Sequence, residues 1–192
     1  GMLDGSGYDT MHVTPCDLYA AASRIPKLGN LDLTRHRTFA LVRDPYMRVL
    51  SSFKQRREYS KQKAWGYVDK NFTRFMVDMH TGLRRGSLRW CCSNTLTHFR
   101  PAHMYTHVNG HQVVDVILRS EDLVLNETWP RLLDDLGMPR VPLTVENAGA
   151  RNRLDNVPRD MLLRTTRHNA ITLHIVNELY ERDFDTFGYR RV

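Results

Sequence analysis

The sequence predicts a single α/β domain, spanning residues 1–192, with a parallel sheet. The chain has 192 residues, of which 41% are hydrophobic and 26% charged, as is usual for one packed core. Two short apolar runs, residues 38–42 and 113–118, have the length of buried strands, and a helical pattern follows each of them. Strands that alternate with helices favour parallel pairing. Gly1, before Met2, is interpreted as a residue left by tag removal.

The first elements are predicted from capping residues and apolar spacing. Thr14 can cap a helix over residues 15–24, and Pro15 suits its first turn. The strand over 38–42 then turns directly into a second helix, which starts at Asp44 and Pro45 and extends to about residue 57. Its predicted buried stripe comprises Tyr46, Val49, Leu50 and Phe53, with Arg48, Ser51 and Ser52 toward the other side.

Later elements follow from the same signals. Apolar residues at helical spacing predict helices over 69–81, 128–136 and 159–182, and Gly82 and Gly137 are expected to end the first two. The second strand, over 113–118, precedes the middle one of these helices. The eleven glycines and eight prolines show no repeat period, which excludes collagen-like and solenoid architectures.

Charge and cysteine content restrict the classes of partner. The formal charge of +7 favours an anionic ligand, but basic residues are scattered and no RNA-binding signature is present, so nucleic acid is not expected. No apolar run approaches the roughly 18 residues needed to cross a bilayer, so no membrane association is predicted. Three cysteines, with Cys91 and Cys92 adjacent, make a poor disulfide framework and favour a reducing, cytoplasmic location.

The segment after the first strand combines features of a phosphate site. Arg43 is the first residue past the carboxyl end of the strand, where ligands bind in parallel sheets. The following helix start offers free amides and a positive dipole end. Arg48 and Ser51 share a helix face, so these groups can converge on one phosphate. Alternatively, Asp44 and Arg48 form an ordinary ion pair, and Arg43 satisfies a neighbouring carboxylate.

Five segments along the chain form a recognisable series. They are FALVRDPYMRVLSSF (39–53), HFRP (98–101), VDVILRSEDL (114–123), ENA (146–148) and LYERDFDTFGY (179–189). In the same order, they resemble segments of sulfotransferases that use 3′-phosphoadenosine 5′-phosphosulfate (PAPS), especially the carbohydrate sulfotransferases. The first is similar to the 3′-phosphate-binding segment of that family. The resemblance extends from about residue 12 to residue 189.

This resemblance implies a P-loop NTPase-like, three-layer α/β fold and PAPS as the sulfuryl donor, with no metal. It implies that Arg43 and Ser51 hold the 3′-phosphate and that the loop from Asn147 to Arg153 covers the nucleotide. His12 occupies a place similar to that of the base in heparan sulfate sulfotransferases, and a neutral imidazole can deprotonate an acceptor hydroxyl near neutral pH. The implied acceptor is a glycan or a small hydroxyl-bearing molecule.

The family's loop for the 5′-phosphosulfate, similar to Pro-Lys-x-Gly-[Ser/Thr], is not found before His12. The sequence is therefore interpreted as N-terminally truncated relative to the family, and its activity is left open. A missing strand would leave a free sheet edge, which favours association with a second copy. Two alternatives are retained. One is a non-catalytic nucleotide- or glycan-binding remnant of the fold, and the other is a metal-binding protein that uses His98, His103, His107 and His111.

Overall fold

A computed structural model describes residues 37–60, 72–90, 96–123, 127–142 and 170–192. These residues combine helices with a small parallel sheet, as predicted for an α/β protein. The predicted helix over 15–24 lies outside the described residues. The helices are α1 (Pro45–Ser60), α2 (Phe72–Arg84), α3 (His103–Thr106), α4 (Thr128–Asp135), α5 (Ala170–Leu179) and α6 (Glu181–Phe187), and a 3₁₀ turn covers Thr97–Phe99.

Two strands form the parallel sheet predicted from the sequence. Strand β1 (Phe39–Val42) pairs in parallel with β4 (Val116–Arg119), so Val42 lies opposite Arg119 and both carboxyl ends meet at one edge. Between β1 and β4 along the chain, β2 (His107–Val108) and β3 (His111–Gln112) form a separate, short antiparallel hairpin. Asp115, just before β4, links the starts of the two parallel strands. Its carboxylate accepts hydrogen bonds from the backbone N–H and the hydroxyl of Thr38, just before β1.

The main core lies between helices α1, α2, α5 and α6. Tyr46, Val49 and Phe53 of α1 are buried in it, as predicted, whereas Leu50 is half-buried. Tilted aromatic contacts join the elements, with ring centroids 5.1 Å apart for Tyr46 and Phe184. Because burial of this stripe fixes the rotation of α1, the opposite side of the helix is turned toward the end of the sheet.

Three helix predictions need correction. Gly82 does not end α2 but lies inside it, where a Cβ would come within 2.6 Å of the Cδ1 of Leu88. The glycine therefore makes room for Leu88 and does not mark the end of the helix. The predicted helix over 159–182 is two helices in its described part, with a break at Tyr180 between α5 and α6. Ser52, expected on the outer face of α1, is buried, since its hydroxyl donates to the carbonyl of His98 at 2.7 Å.

Helix α4 and the strands agree with prediction more closely. Helix α4 ends before Gly137, which adopts a left-handed φ of 65°. The second parallel strand is shorter than its apolar run, because the chain before Val116 is engaged with Thr38 through Asp115. Within the part of the chain that the structure describes, no helix is both long and apolar enough to cross a bilayer.

Candidate functional site

A pocket of about 360 Å³ opens beside the carboxyl end of β1. Arg43, Arg48 and Ser51, which the sequence grouped as a phosphate site, all line it. Strand β1 ends at Val42 and α1 begins at Pro45, so Arg43 stands at the junction while Arg48 and Ser51 extend from the face of α1 that the core leaves uncovered. The remaining wall comes from the chain between His98 and Thr106.

Arg48 is the most constrained cation of the pocket. One terminal nitrogen, Nη2, donates to the backbone carbonyl of Arg100 at 2.9 Å, and the guanidinium carbon lies 5.9 Å from the ring centroid of Tyr105. The Arg100 guanidinium lies 5.6 Å from the same centroid and is anchored through two nitrogens to the carbonyl of Trp90. The Nε of Arg48 is buried and has no hydrogen-bond partner within the described part of the chain. A buried donor in this state favours an incoming acceptor.

Arg43 and Ser51 present their polar groups to the pocket. Arg43 is half-buried and Ser51 is exposed. Among residues 37–60, 72–90, 96–123, 127–142 and 170–192, neither side chain forms a hydrogen bond or an ion pair. The alternative in which Arg43 satisfies a neighbouring carboxylate is therefore not observed in these ranges. A guanidinium and a hydroxyl at one pocket wall can both donate to a phosphate.

The start of α1 differs from the expected open helix terminus. The buried carboxylate of Asp44 caps the helix, since its Oδ1 accepts from the N–H groups of Tyr46 and Met47 at 3.0 and 3.2 Å. The N–H of Arg48 bonds to the carbonyl of Asp44, and Pro45 has no N–H to offer. The first-turn amides are therefore occupied by the protein itself, and donation to a ligand depends on side chains.

Glu121 ties the ends of the two parallel strands together. Its Oε1 accepts from the backbone N–H of Asp44 at 2.9 Å, and its Oε2 accepts from the hydroxyl of Tyr189 at 3.0 Å. Burial and the neighbouring carboxylate of Glu121 raise the pKa of Tyr189, which therefore stays a neutral donor. Glu121 thus has a positioning role at this edge, because it joins the start of α1 to Tyr189.

The histidines of the 98–111 segment are directed to different places. His98 lines the pocket, whereas the Nδ1 of His103 lies 2.7 Å from the buried carboxylate of Asp183. The Nδ1 of His107 lies 2.8 Å from the hydroxyl of Thr106. No group of three or more His, Cys, Asp or Glu side chains that could hold a metal occurs within the described ranges. His12, Asn147 and Arg153 lie outside those ranges.

Sequence reasoning missed Tyr105 and Thr106, which complete the pocket wall. The family-like segment His98–Pro101 indicated that the neighbourhood mattered, but nothing in the pattern related Tyr105 to Arg48. The contact depends on the short helix α3, whose N-terminus is held by Asp183. That carboxylate accepts from the N–H groups of Ala102 and His103 at 2.6 and 2.9 Å. An interaction over about 80 positions of sequence has no local signal.

Comparison with known families identifies the chain. The model of the sulfotransferase family matches residues 19–190, which is most of the sequence. The chain belongs to the sulfotransferase family. A search of the curated proteins and a search of the solved structures each found no match. The match includes β1, the turn at Arg43 and every described element after it, so the pocket of this sulfotransferase lies within the matched region. Sulfuryl transfer is the general activity that membership indicates.

Proposed function

We propose that this sulfotransferase transfers the sulfuryl group of PAPS to a hydroxyl of a carbohydrate or related acceptor. The observation that carries the proposal is the convergence of Arg43, Arg48 and Ser51 on one pocket at the carboxyl end of β1. In parallel α/β sheets this is where ligands bind. The family resemblance assigns Arg43 and Ser51 to the 3′-phosphate of PAPS, and Arg48 joins them because it shares a helix face with Ser51.

The donor groups of the pocket suit a dianion. Two guanidinium groups supply charge-assisted hydrogen bonds, and the buried Nε of Arg48 has no partner among the described residues. Since Asp44 occupies the first-turn amides of α1, these side chains carry the recognition. The apolar wall formed by Leu41, Val42 and Ala102 suits the uncharged part of a nucleotide.

The remaining assignments rest on the resemblance alone. We propose a P-loop NTPase-like, three-layer arrangement, with the loop from Asn147 to Arg153 over the nucleotide and His12 as the base. In the reaction the acceptor oxygen bonds to sulfur, the bond from sulfur to the bridging phosphate oxygen breaks, and adenosine 3′,5′-bisphosphate leaves. His12 takes the acceptor proton. The cysteine content favours a cytoplasmic location.

Titration calorimetry with adenosine 3′,5′-bisphosphate tests the pocket. We expect Arg43→Ala to weaken binding about 10- to 100-fold, since hydrogen bonds to charged groups contribute about 1.5–3 kcal/mol. Ser51→Ala is expected to weaken it about 3- to 10-fold through loss of a neutral donor. Arg85→Ala, which removes an exposed arginine outside the pocket, is the matched control. Adenosine 5′-monophosphate, which lacks the 3′-phosphate, should bind wild type and Arg43→Ala equally.

A sulfate-transfer assay separates the enzyme from a binding remnant. Transfer from PAPS to a glycan supports the enzyme, and nucleotide binding without transfer supports the remnant. If Arg43→Ala binds the bisphosphate as tightly as the wild type, the assignment of the pocket is wrong. An unchanged rate in His12→Ala would refute the proposed base while leaving the pocket assignment intact.

A further inference from the structure

A second cavity, of about 640 Å³, lies beside β4. Three consecutive residues of β4, Ile117 to Arg119, line it, just as three consecutive residues of β1, Ala40 to Val42, line the nucleotide pocket. These two triplets are paired residue by residue in the sheet. The two cavities therefore flank the same strand pair, whose strands are about 5 Å apart.

The rear walls of the two cavities are also adjacent. Thr106, at the end of α3, lines the nucleotide pocket, and the next residue, His107, lines the second cavity. The Thr106 hydroxyl and the His107 Nδ1 are 2.8 Å apart, which fixes the orientation of the imidazole. The ring also packs edge-on against Phe187, with centroids 6.2 Å apart. A ligand in the second cavity would therefore contact a preformed wall that is continuous with the wall of the nucleotide pocket.

The charge of the second cavity differs from that of the first. Its described lining carries one cation and one anion, and these neutralise each other, because the Nε of Arg119 donates to Asp122 at 2.7 Å. Burial lowers the pKa of His107, with the nearby His103 as a further cause, so the imidazole is uncharged at neutral pH. The nucleotide pocket, in contrast, carries Arg43 and Arg48. Among the described residues that line this cavity, a polyanionic ligand would find no excess of positive charge.

The rest of the described lining alternates neutral polar groups with apolar surface. Gln112, Thr128 and Thr186 provide donors and acceptors, while Ile117 and Phe187 provide apolar area. Saccharide rings combine hydroxyl edges with apolar C–H faces, so a mixed wall of this kind complements them. The volume lies in the range of small-ligand sites.

We propose that the cavity beside β4 is the acceptor site of this sulfotransferase and binds an uncharged saccharide through Gln112, Thr128 and Thr186. The proposal rests on the proposed function, because it assigns the acceptor of the same reaction. It excludes uronic acid and already sulfated sugars as preferred acceptors. The negative charge of such a sugar would face the carboxylate of Asp122. No unpaired cation of the described lining would balance that charge.

Saturation-transfer NMR on the full chain tests this, with adenosine 3′,5′-bisphosphate present. The probes are N,N′-diacetylchitobiose, which is neutral, and the glucuronic acid–N-acetylgalactosamine disaccharide, which is acidic. We expect the neutral disaccharide to bind more tightly. Thr186→Val, which retains the side-chain volume, should weaken its binding about 3- to 10-fold through loss of one hydrogen bond. Thr81→Val deletes a hydroxyl that lines neither cavity and is the matched control.

Unchanged bisphosphate affinity in Thr186→Val and Gln112→Ala shows that the variants fold. Tighter binding of the acidic disaccharide overturns the claim of an uncharged acceptor. Equal binding of the neutral disaccharide by wild type, Thr186→Val and Gln112→Ala overturns the location. If the bisphosphate binds but neither disaccharide does, the acceptor site is refuted while the nucleotide pocket stands. If the bisphosphate does not bind the wild type, the proposed function fails and the acceptor assignment fails with it.

Discussion

Asp44 connects the stability of the fold to the geometry of the pocket beside β1. Its side chain is 1% exposed and accepts two backbone N–H groups at the start of α1. Asp44→Ala removes the cap, which costs about 0.5–2 kcal/mol, and leaves buried donors unpaired, at about 1–3 kcal/mol. These contributions overlap. We therefore expect the free energy of unfolding to fall by about 2–4 kcal/mol, which corresponds to a decrease of about 5–15 °C in Tm.

Urea denaturation followed by circular dichroism measures this loss. Asp44→Asn is the matched control, since an amide oxygen can still accept from Tyr46 and Met47, and we expect it to lose no more than about 1 kcal/mol. If the free energy of unfolding of Asp44→Ala lies within about 0.5 kcal/mol of the wild-type value, the capping role is refuted, because surface substitutions without structural consequence fall in that range. Equal losses in both variants would show that the charge, not the hydrogen bonds, matters.

Three further predictions concern packing and pH. Gly82→Ala should lower the free energy of unfolding by about 1–3 kcal/mol, although helices usually prefer alanine, because the new Cβ meets Leu88. Adding Leu88→Ala should relieve the clash. A Gly82→Ala variant more stable than the wild type in urea denaturation would contradict this explanation. Tyr180→Phe should cost about 1–2 kcal/mol in urea denaturation by leaving a buried carbonyl unpaired, and no loss would refute that bond's role. The His80 imidazole, whose Nε2 lies 3.1 Å from a carboxylate oxygen of Glu178, lowers the pKa of Glu178 below its ordinary 4.5. This pair therefore stabilises the fold above that pH, and the stabilisation disappears as the pH falls through the lowered pKa. Glu178→Gln should flatten this acid dependence, and an unchanged profile would contradict it.

Local sequence signals predicted the described helices and strands correctly where the capping residues and the apolar periodicity indicate the same element. The apolar stripe of α1 is an example, since the spacing of Tyr46, Val49 and Phe53 identifies one helix face without reference to the rest of the chain. Gly82 shows the limit of such signals. A glycine after a helical pattern usually marks a helix end, but here the glycine lies inside the helix, where Leu88 takes the space that a Cβ would need.

The candidate site was predictable only in its contiguous part. Arg43, Arg48 and Ser51 belong to one strand–turn–helix segment, so spacing alone brings them to one side. The amides of the same helix start were predicted to be open, and the structure shows them bonded to Asp44. An aspartate after a strand is compatible with both outcomes, because the choice depends on the rotamer that the packed neighbours allow.

The order of polar and apolar residues along the chain was enough to predict the α/β class and the helix after β1. It also identified the hydrogen-bond donors that lie near Arg43. Tertiary packing alone decided that Tyr105 flanks Arg48 and that Glu121 joins the two strand ends. It also decided that Thr106 and His107 face different cavities. Periodicity reports which side of an element is apolar, whereas the choice of partner across the core depends on shapes and hydrogen bonds contributed by distant segments.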